Sequence, residues 1–185
     1  TFILVWFGQA ISLIGSGITA FAISLWIYSE TSSVTLFSLN AFLNFLPGIV
    51  LSPMAGVWAD RWSRRRIMLL ADGGAAASTL FVAVMLFSGQ LAIGHVYFAT
   101  AANALFSTFQ KPAYAAAVTT LVPKKHFTRA EAMIQLGTQF GGVIAPMLAG
   151  FLIVWLGLPG ILVIDFATFL IAESILLLRR FPELA

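Results

Sequence analysis

Four ionisable side chains, Asp72, Lys111, Asp165 and Glu173, stand within long runs of apolar residues. A charge held in hydrocarbon costs at least about 2.5–3.5 kcal/mol, so each calls for a partner, a wet cavity or a function. Lys111 lies about ten residues inside its run, which at 1.5 Å per residue is about 15 Å from the end and too deep to snorkel. Two readings of it stay open. It faces a water-filled cavity as a substrate or counter-ion contact, or it pairs with Asp72, Asp165 or Glu173. The same three acids are the candidates for proton coupling, because a carboxyl group in a membrane interior can take up and release a proton. Glu173, near the basic end of its run, is expected to pair with an arginine.

Uncharged polar residues form a second set. Asn40 and Asn44, and Gln135 and Gln139, are spaced four apart and share a helical face. Gln9, Ser12 and Ser16 make a polar strip, and Asn103 and Gln110 are seven apart. Hydrogen bonding between helices is one use for them and lining a cavity is the other. The cavity candidates are Lys111, Asn103, Gln110, Asn40, Asn44 and Gln9. Enzyme chemistry finds no support. His95 and His126 fall at opposite ends of one apolar run, there are no cysteines, and no nucleophile triad, zinc motif or phosphate loop is present. No cofactor or metal is expected.

These residues must be positioned by membrane helices. The 185 residues are 60% hydrophobic and 9% charged, with mean hydropathy +0.98 and pI near 9.7, too few charges to cover a soluble fold. Six apolar stretches run about 2–28, 34–58, 67–88, 94–121, 129–156 and 161–178. Each is long enough to cross a hydrocarbon layer of about 30 Å as a helix. None alternates as a barrel strand does. The first stretch is far longer than a signal-peptide core, so it is read as a span. The absence of an initiating Met before Thr1 leads us to expect a short segment trimmed or missing there. The whole is expected to be an all-α membrane protein forming a single six-helix bundle over residues 1–185.

Charge placement fixes the expected topology. With six spans, Arg61, Arg64, Arg65, Arg66, Lys124, Lys125, Arg129, Arg179 and Arg180 fall on one side, all but Lys111 of the ten Lys and Arg. Short loops rich in Lys and Arg stay cytoplasmic, so both termini are expected in the cytoplasm and the chain in the inner (plasma) membrane. A basic cluster confined to short loops gives nucleic acid no role as a partner.

The second and third stretches are joined by Gly56-Val57-Trp58-Ala59-Asp60-Arg61-Trp62-Ser63-Arg64-Arg65-Arg66. This resembles the loop of the major facilitator superfamily, Gly-x-x-x-Asp-Arg/Lys-x-Gly-Arg/Lys-Arg/Lys, with Ser63 where the family usually has Gly and Trp58 where Leu is common. The resemblance implies a cytoplasmic gate formed by Gly56, Asp60, Arg61, Arg64 and Arg65, with Gly56 admitting a close helix. The fifth stretch carries Gly141-Gly142-Val143-Ile144-Ala145-Pro146-Met147-Leu148-Ala149-Gly150. It is similar to the export-branch motif Gly-x-x-x-Gly-Pro-x-x-Gly-Gly, with Ala145 and Ala149 in place of glycines. Positions 141, 145 and 149 form a small-residue stripe that admits a partner helix, and Pro146 can kink its own. Gly141, Ala145, Pro146, Ala149 and Gly150 are therefore expected at a rocking interface.

Other segments, among them Gln110-Lys111-Pro112-Ala113-Tyr114 and Ile164-Asp165-Phe166-Ala167-Thr168-Phe169, are similar to the branch that includes macrolide and siderophore exporters. The resemblance covers the whole chain but only the N-terminal half of a twelve-span fold. It implies proton-coupled efflux of small amphipathic compounds by alternating access, with a second six-helix half, C-terminal or a homodimer mate, as partner. A six-helix membrane protein with an assembly role and no transport is the competing expectation.

Overall fold

A computed structural model describes residues 2–178, except for the side chains of residues 58–61, 64 and 120. The described residues form five α-helices: α1 (Phe2–Thr31), α2 (Val34–Arg61), α3 (Arg64–Phe87), α4 (Ile93–Leu121) and α5 (Phe127–Leu178), with a 3-10 turn at Lys124–His126. Four segments, Phe2–Thr31, Val34–Val57, Arg65–Phe87 and Lys124–Leu178, are long and apolar enough to cross a membrane. α4 is as long, at 29 residues, and carries His95, Asn103, Gln110 and Lys111 along it.

The sequence leads one to expect six separate helices, with a break over Gly157–Gly160. The fifth and sixth stretches instead form one helical element of 52 residues that departs from helical geometry only at Gly157 (φ 63, ψ −177). That backbone conformation is open almost exclusively to glycine. Pro159 follows within the first turn of the next leg, where its missing N–H would have no partner anyway. The turn is therefore shorter than the sequence suggests.

Contacts along α1 show that the chain reverses at Gly157. On the first leg, 127–156, Gly137 faces Trp6, Gly141 faces Leu13 and Ile14, and Ala145 faces Gly17, so this leg runs parallel to α1. On the second leg, 158–178, Ala172 and Ile175 face Gly8 while Asp165 and Thr168 face Gly15, so this leg is antiparallel. A straight helix of this length would span about 78 Å, well over twice a hydrocarbon core.

The other helices alternate in the same way. Ser24 meets Asn40 across the short turn between α1 and α2. α2 runs parallel to α4, with Leu36 bonded to Tyr97 and Asn40 to Thr100. α3 is antiparallel to α4: Phe81 stacks edge-on against His95 and Phe98, and the ring of Phe106 lies on the backbone of Gly74. Arg65 and Arg66 thus sit at the same end of the bundle as Lys124 and Lys125. Phe2 packs there with Val118, Val122 and Ala130, and the Arg65 guanidinium donates from Nη2 to the Leu177 carbonyl at 2.9 Å. Ile27, Val82, Val96, Leu158 and Ile161 fill the core toward the opposite end.

Apolar side chains cover much of the outside. Val143, Met147, Val154 and Trp155 on α5, and Phe45, Ile49 and Val50 on α2, are all more than 60% exposed. Such faces suit lipid or another helix bundle and would be a liability in water.

Candidate functional site

Between α1, α3, α4 and both legs of α5 lies a cavity of about 230 Å³. At its wall, three helices meet through a closed ring of polar side chains. Gln9 on α1 donates from Nε2 to Asp72 Oδ2 on α3 at 3.1 Å. Gln110 on α4 donates from Nε2 to Gln9 Oε1 at 2.9 Å and also to Asp72 Oδ1. Asp72 is only 3% exposed, so these amides stand in for the water that its carboxyl group loses. Lys111, the next residue on α4, is exposed and lines the same cavity.

Asp165, on the second leg of α5, also lines this cavity and is equally buried. Ser16 donates to its Oδ1 at 3.1 Å and Thr79 to its Oδ2 at 2.9 Å. Gly15 makes that approach possible: a methyl group there would overlap Thr168 Oγ1 and fall 3.2 Å from Asp165 Oδ1. Glu173 stands apart from the cavity lining. Among the described residues no arginine pairs with it: its Oε2 is buried without a hydrogen-bond partner, and Arg65 turns to the Leu177 carbonyl.

The amide pairs separate. Asn40 is 2% exposed, donating to Ser24 Oγ at 3.0 Å and accepting from Thr100 Oγ1 at 2.9 Å. Asn40 is thus a bridge between helices and lines neither cavity. Asn44 and Asn103 line a second pocket of about 30 Å³, and Ser107 donates to Asn103 at 3.4 Å. Gln9, Gln110 and Lys111 are therefore gathered at one cavity, Asn44 and Asn103 at another.

The small-residue stripe faces inward. Gly141, Ala145 and Ala149 are buried, the first two against α1 and Ala149 in the cluster that holds Ile18 and Ala22. At these positions, expected at a rocking interface, the stripe packs within the bundle, with the small residue Gly17 bringing α1 onto Ala145. Pro146 is half-buried, and nothing lies within 4 Å of a Cβ placed at Gly150. The same holds at Gly56 among the described residues. The side chains of Asp60, Arg61 and Arg64, like residues 179 and 180, lie outside the described residues.

Several cavity residues escape the sequence reading. Tyr114 brings a buried hydroxyl without a hydrogen-bond partner, Glu131 a carboxylate and Trp6 an indole, whose Nε1 donates to the Met133 carbonyl at 3.0 Å. Thr79 lies seven residues from Asp72, two helical turns along one face, and that spacing is a signal available in the sequence.

Known proteins resemble this chain along nearly all its length. It is 31% identical over 183 residues to macrolide efflux protein A of Streptococcus pyogenes, covering 99% of this chain and 45% of that protein. It is 26% identical over 149 residues to the enterobactin exporter EntS of Salmonella typhimurium, covering 80% of this chain and 36% of that one. The MFS-type transporter YkuC of Bacillus subtilis is 24% identical over 183 residues, or 98% of this chain and 42% of YkuC. The chain thus spans less than half the length of the curated relatives it matches. No solved structure matches it. Residues 5–184 match the family model of the Major Facilitator Superfamily, and this helical membrane protein belongs to that superfamily of transporters.

Proposed function

We propose that the chain is a six-spanning bundle of a proton-coupled exporter of small amphipathic compounds. The reversal at Gly157 supports six crossings within five helical elements. The gathering of Arg65, Arg66, Lys124 and Lys125 at one end supports a cytoplasmic placement of that end and of both termini. The names of the relatives, which move a macrolide and enterobactin outward, support export. A second six-helix half completes the alternating-access path, and the segment from Gly56 to Arg66 serves as its cytoplasmic gate.

The Gln9–Asp72–Gln110 ring beside Lys111 carries this reading. As a carboxylate, Asp72 only accepts, and both its oxygens receive amide N–H groups. Once protonated it must also donate, and a glutamine side chain can turn its carbonyl to meet it. One proton on α3 therefore rearranges hydrogen bonds on α1 and α4 at the cavity wall. Lys111 supplies a fixed positive charge at that wall, where it would meet a carbonyl-rich or anionic part of the substrate. Dye efflux driven by a pH gradient tests this in proteoliposomes holding the full-length protein. Loss of efflux in Asp72→Asn and altered substrate preference in Lys111→Ala are expected. Unchanged transport in both variants would overturn the assignment.

A further inference from the structure

Glu173 belongs neither to the amide ring nor to the cavity lining, yet it stands close to Asp72 on another side. α3 and the second leg of α5 run antiparallel, and two hydrogen bonds fix their register: Arg65 to the Leu177 carbonyl and Thr79 to Asp165. Asp72 lies midway between Arg65 and Thr79, which brings it within one turn of Glu173. Between that level and the basic end, Met68 and Leu176 pack in one cluster. The two carboxyl groups are near enough for like charges to repel. Glu173 Oε2 is buried without a hydrogen-bond partner, and so is Arg65 Nε, on the same seam. Buried orphan groups are rare and call for a reason, and here an acceptor and a charged donor stand one helical turn apart.

The amides of Gln9 and Gln110 can turn about Asp72 but cannot carry its proton away, so an onward step needs another acid. Arg65 and Asp72 face Glu173 from α3, while α1, packed on the same leg through Gly8, offers no charge at this level. Lys111, Tyr114 and Glu131 lie on the cavity side of Asp72. We propose that Glu173 relays the proton between Asp72 and the basic end of the bundle, along the α3–α5 seam, while the substrate holds the cavity. The relay rests on the reading of Asp72 as the coupling acid. The Asp72 acid gives its proton to the Glu173 carboxylate, and Asp72, a carboxylate again, takes back both amide N–H groups. Glu173 then passes the proton to water at the basic end. The Nε–H of Arg65 turns to the Glu173 carboxylate and holds its charge until the next proton arrives. One proton moves, and nothing is oxidised or reduced.

Proteoliposomes holding the full-length protein separate the relay from the coupling acid, with radiolabelled erythromycin, a macrolide, as probe. Efflux driven by a pH gradient would be compared with erythromycin exchange at equal pH on both sides, which needs no net proton movement. Glu173→Gln keeps the shape and loses the titratable group. It should slow driven efflux by about a hundredfold, the lower range for a positioned proton-transfer group, and leave exchange at the parental rate. Glu173→Asp should restore part of the driven rate with a displaced pH profile, and decides alone should Glu173→Gln fail to fold. Driven efflux kept in Asp72→Asn would sink the reading on which the relay rests. Its loss in Asp72→Asn with full retention in Glu173→Gln would overturn the relay alone. So would an equal loss of exchange and driven efflux in Glu173→Gln, which marks a structural support, or an unmoved pH profile in Glu173→Asp. Loss of driven efflux in Glu131→Gln with none in Glu173→Gln would route the proton through the cavity and overturn the relay too.

Discussion

The side-chain amide of Gln9 reaches the Asp72 carboxyl group at 3.1 Å, tying α1 to α3 at the wall of the central cavity. Because Gln110 bonds to both, the tie is a ring and not a pair, and removing one member leaves two groups to find new partners.

Breaking the ring should separate stability from coupling. Asp72→Asn offers one acceptor and one donor, as the protonated acid does, and a glutamine side chain can turn its carbonyl to meet the new donor, so the fold should lose no more than about 1 kcal/mol, the usual scale of a hydrogen bond between membrane helices. Efflux driven by a pH gradient should fall away. Thermal unfolding and gradient-driven transport, measured on the same preparation, check the two halves of this prediction.

Asn40 should behave in the opposite way. It is buried and joins α1, α2 and α4 through Ser24 and Thr100. Asn40→Leu should destabilise the bundle by about 1–3 kcal/mol, the cost of stranding buried hydroxyls. Substrate affinity should stay where it was, since Asn40 lines neither cavity. A double-mutant cycle with Thr100→Val should show a coupling of about 0.6 kcal/mol or more. A loss of affinity without a loss of stability would return Asn40 to the cavity.

Gly15 is a test of close packing. Any side chain there meets Thr168 Oγ1 and the Asp165 carboxyl group. Gly15→Ala should cost about 1–3 kcal/mol, the usual penalty of overpacking. Thr168→Ala in the same chain should recover part of the loss, measurable as the unfolding midpoint in detergent.

Gly157 holds the left-handed backbone that turns α5 back on itself. Gly157→Ala should destabilise by about 1–3 kcal/mol. A neighbouring Leu158→Ala, which keeps the turn and trims the core, would give a reference for packing loss alone. Equal stability of Gly157→Ala and the parent would argue that the reversal lies elsewhere.

The helical, membrane-embedded character of the chain and its family were legible in the sequence, because long apolar runs and the 56–66 loop are local patterns. Helix limits were legible for the same reason: the stretches expected at 34–58 and 94–121 became α2 and α4 with ends shifted by three residues or fewer. Facing was not. In a membrane bundle the lipid side and the core side are both apolar, so periodicity does not orient a helix. Asn40 and Asn44 share a helical face by spacing, yet one is sealed between helices and the other opens on the small pocket. Asn103 and Gln110 likewise divide between two spaces. The ring of Gln9, Asp72 and Gln110 draws on three helices, and no spacing within one helix encodes such a meeting. The stripe at Gly141, Ala145 and Ala149 was legible as a close-packing surface, but its partner, α1 of the same bundle, was not.

The whole account rests on a chain that crosses the membrane six times, turning at Gly157, with its basic loops together. The sequence contains no cysteine, so single cysteines placed at Ser63, Lys125, Gln90 and Gly160 can be labelled with an impermeant maleimide in sealed vesicles of known orientation. The account predicts that Ser63 and Lys125 react from the cytoplasmic face, and Gln90 and Gly160 from the other. Labelling of Lys125 and Gly160 from the same face would contradict it.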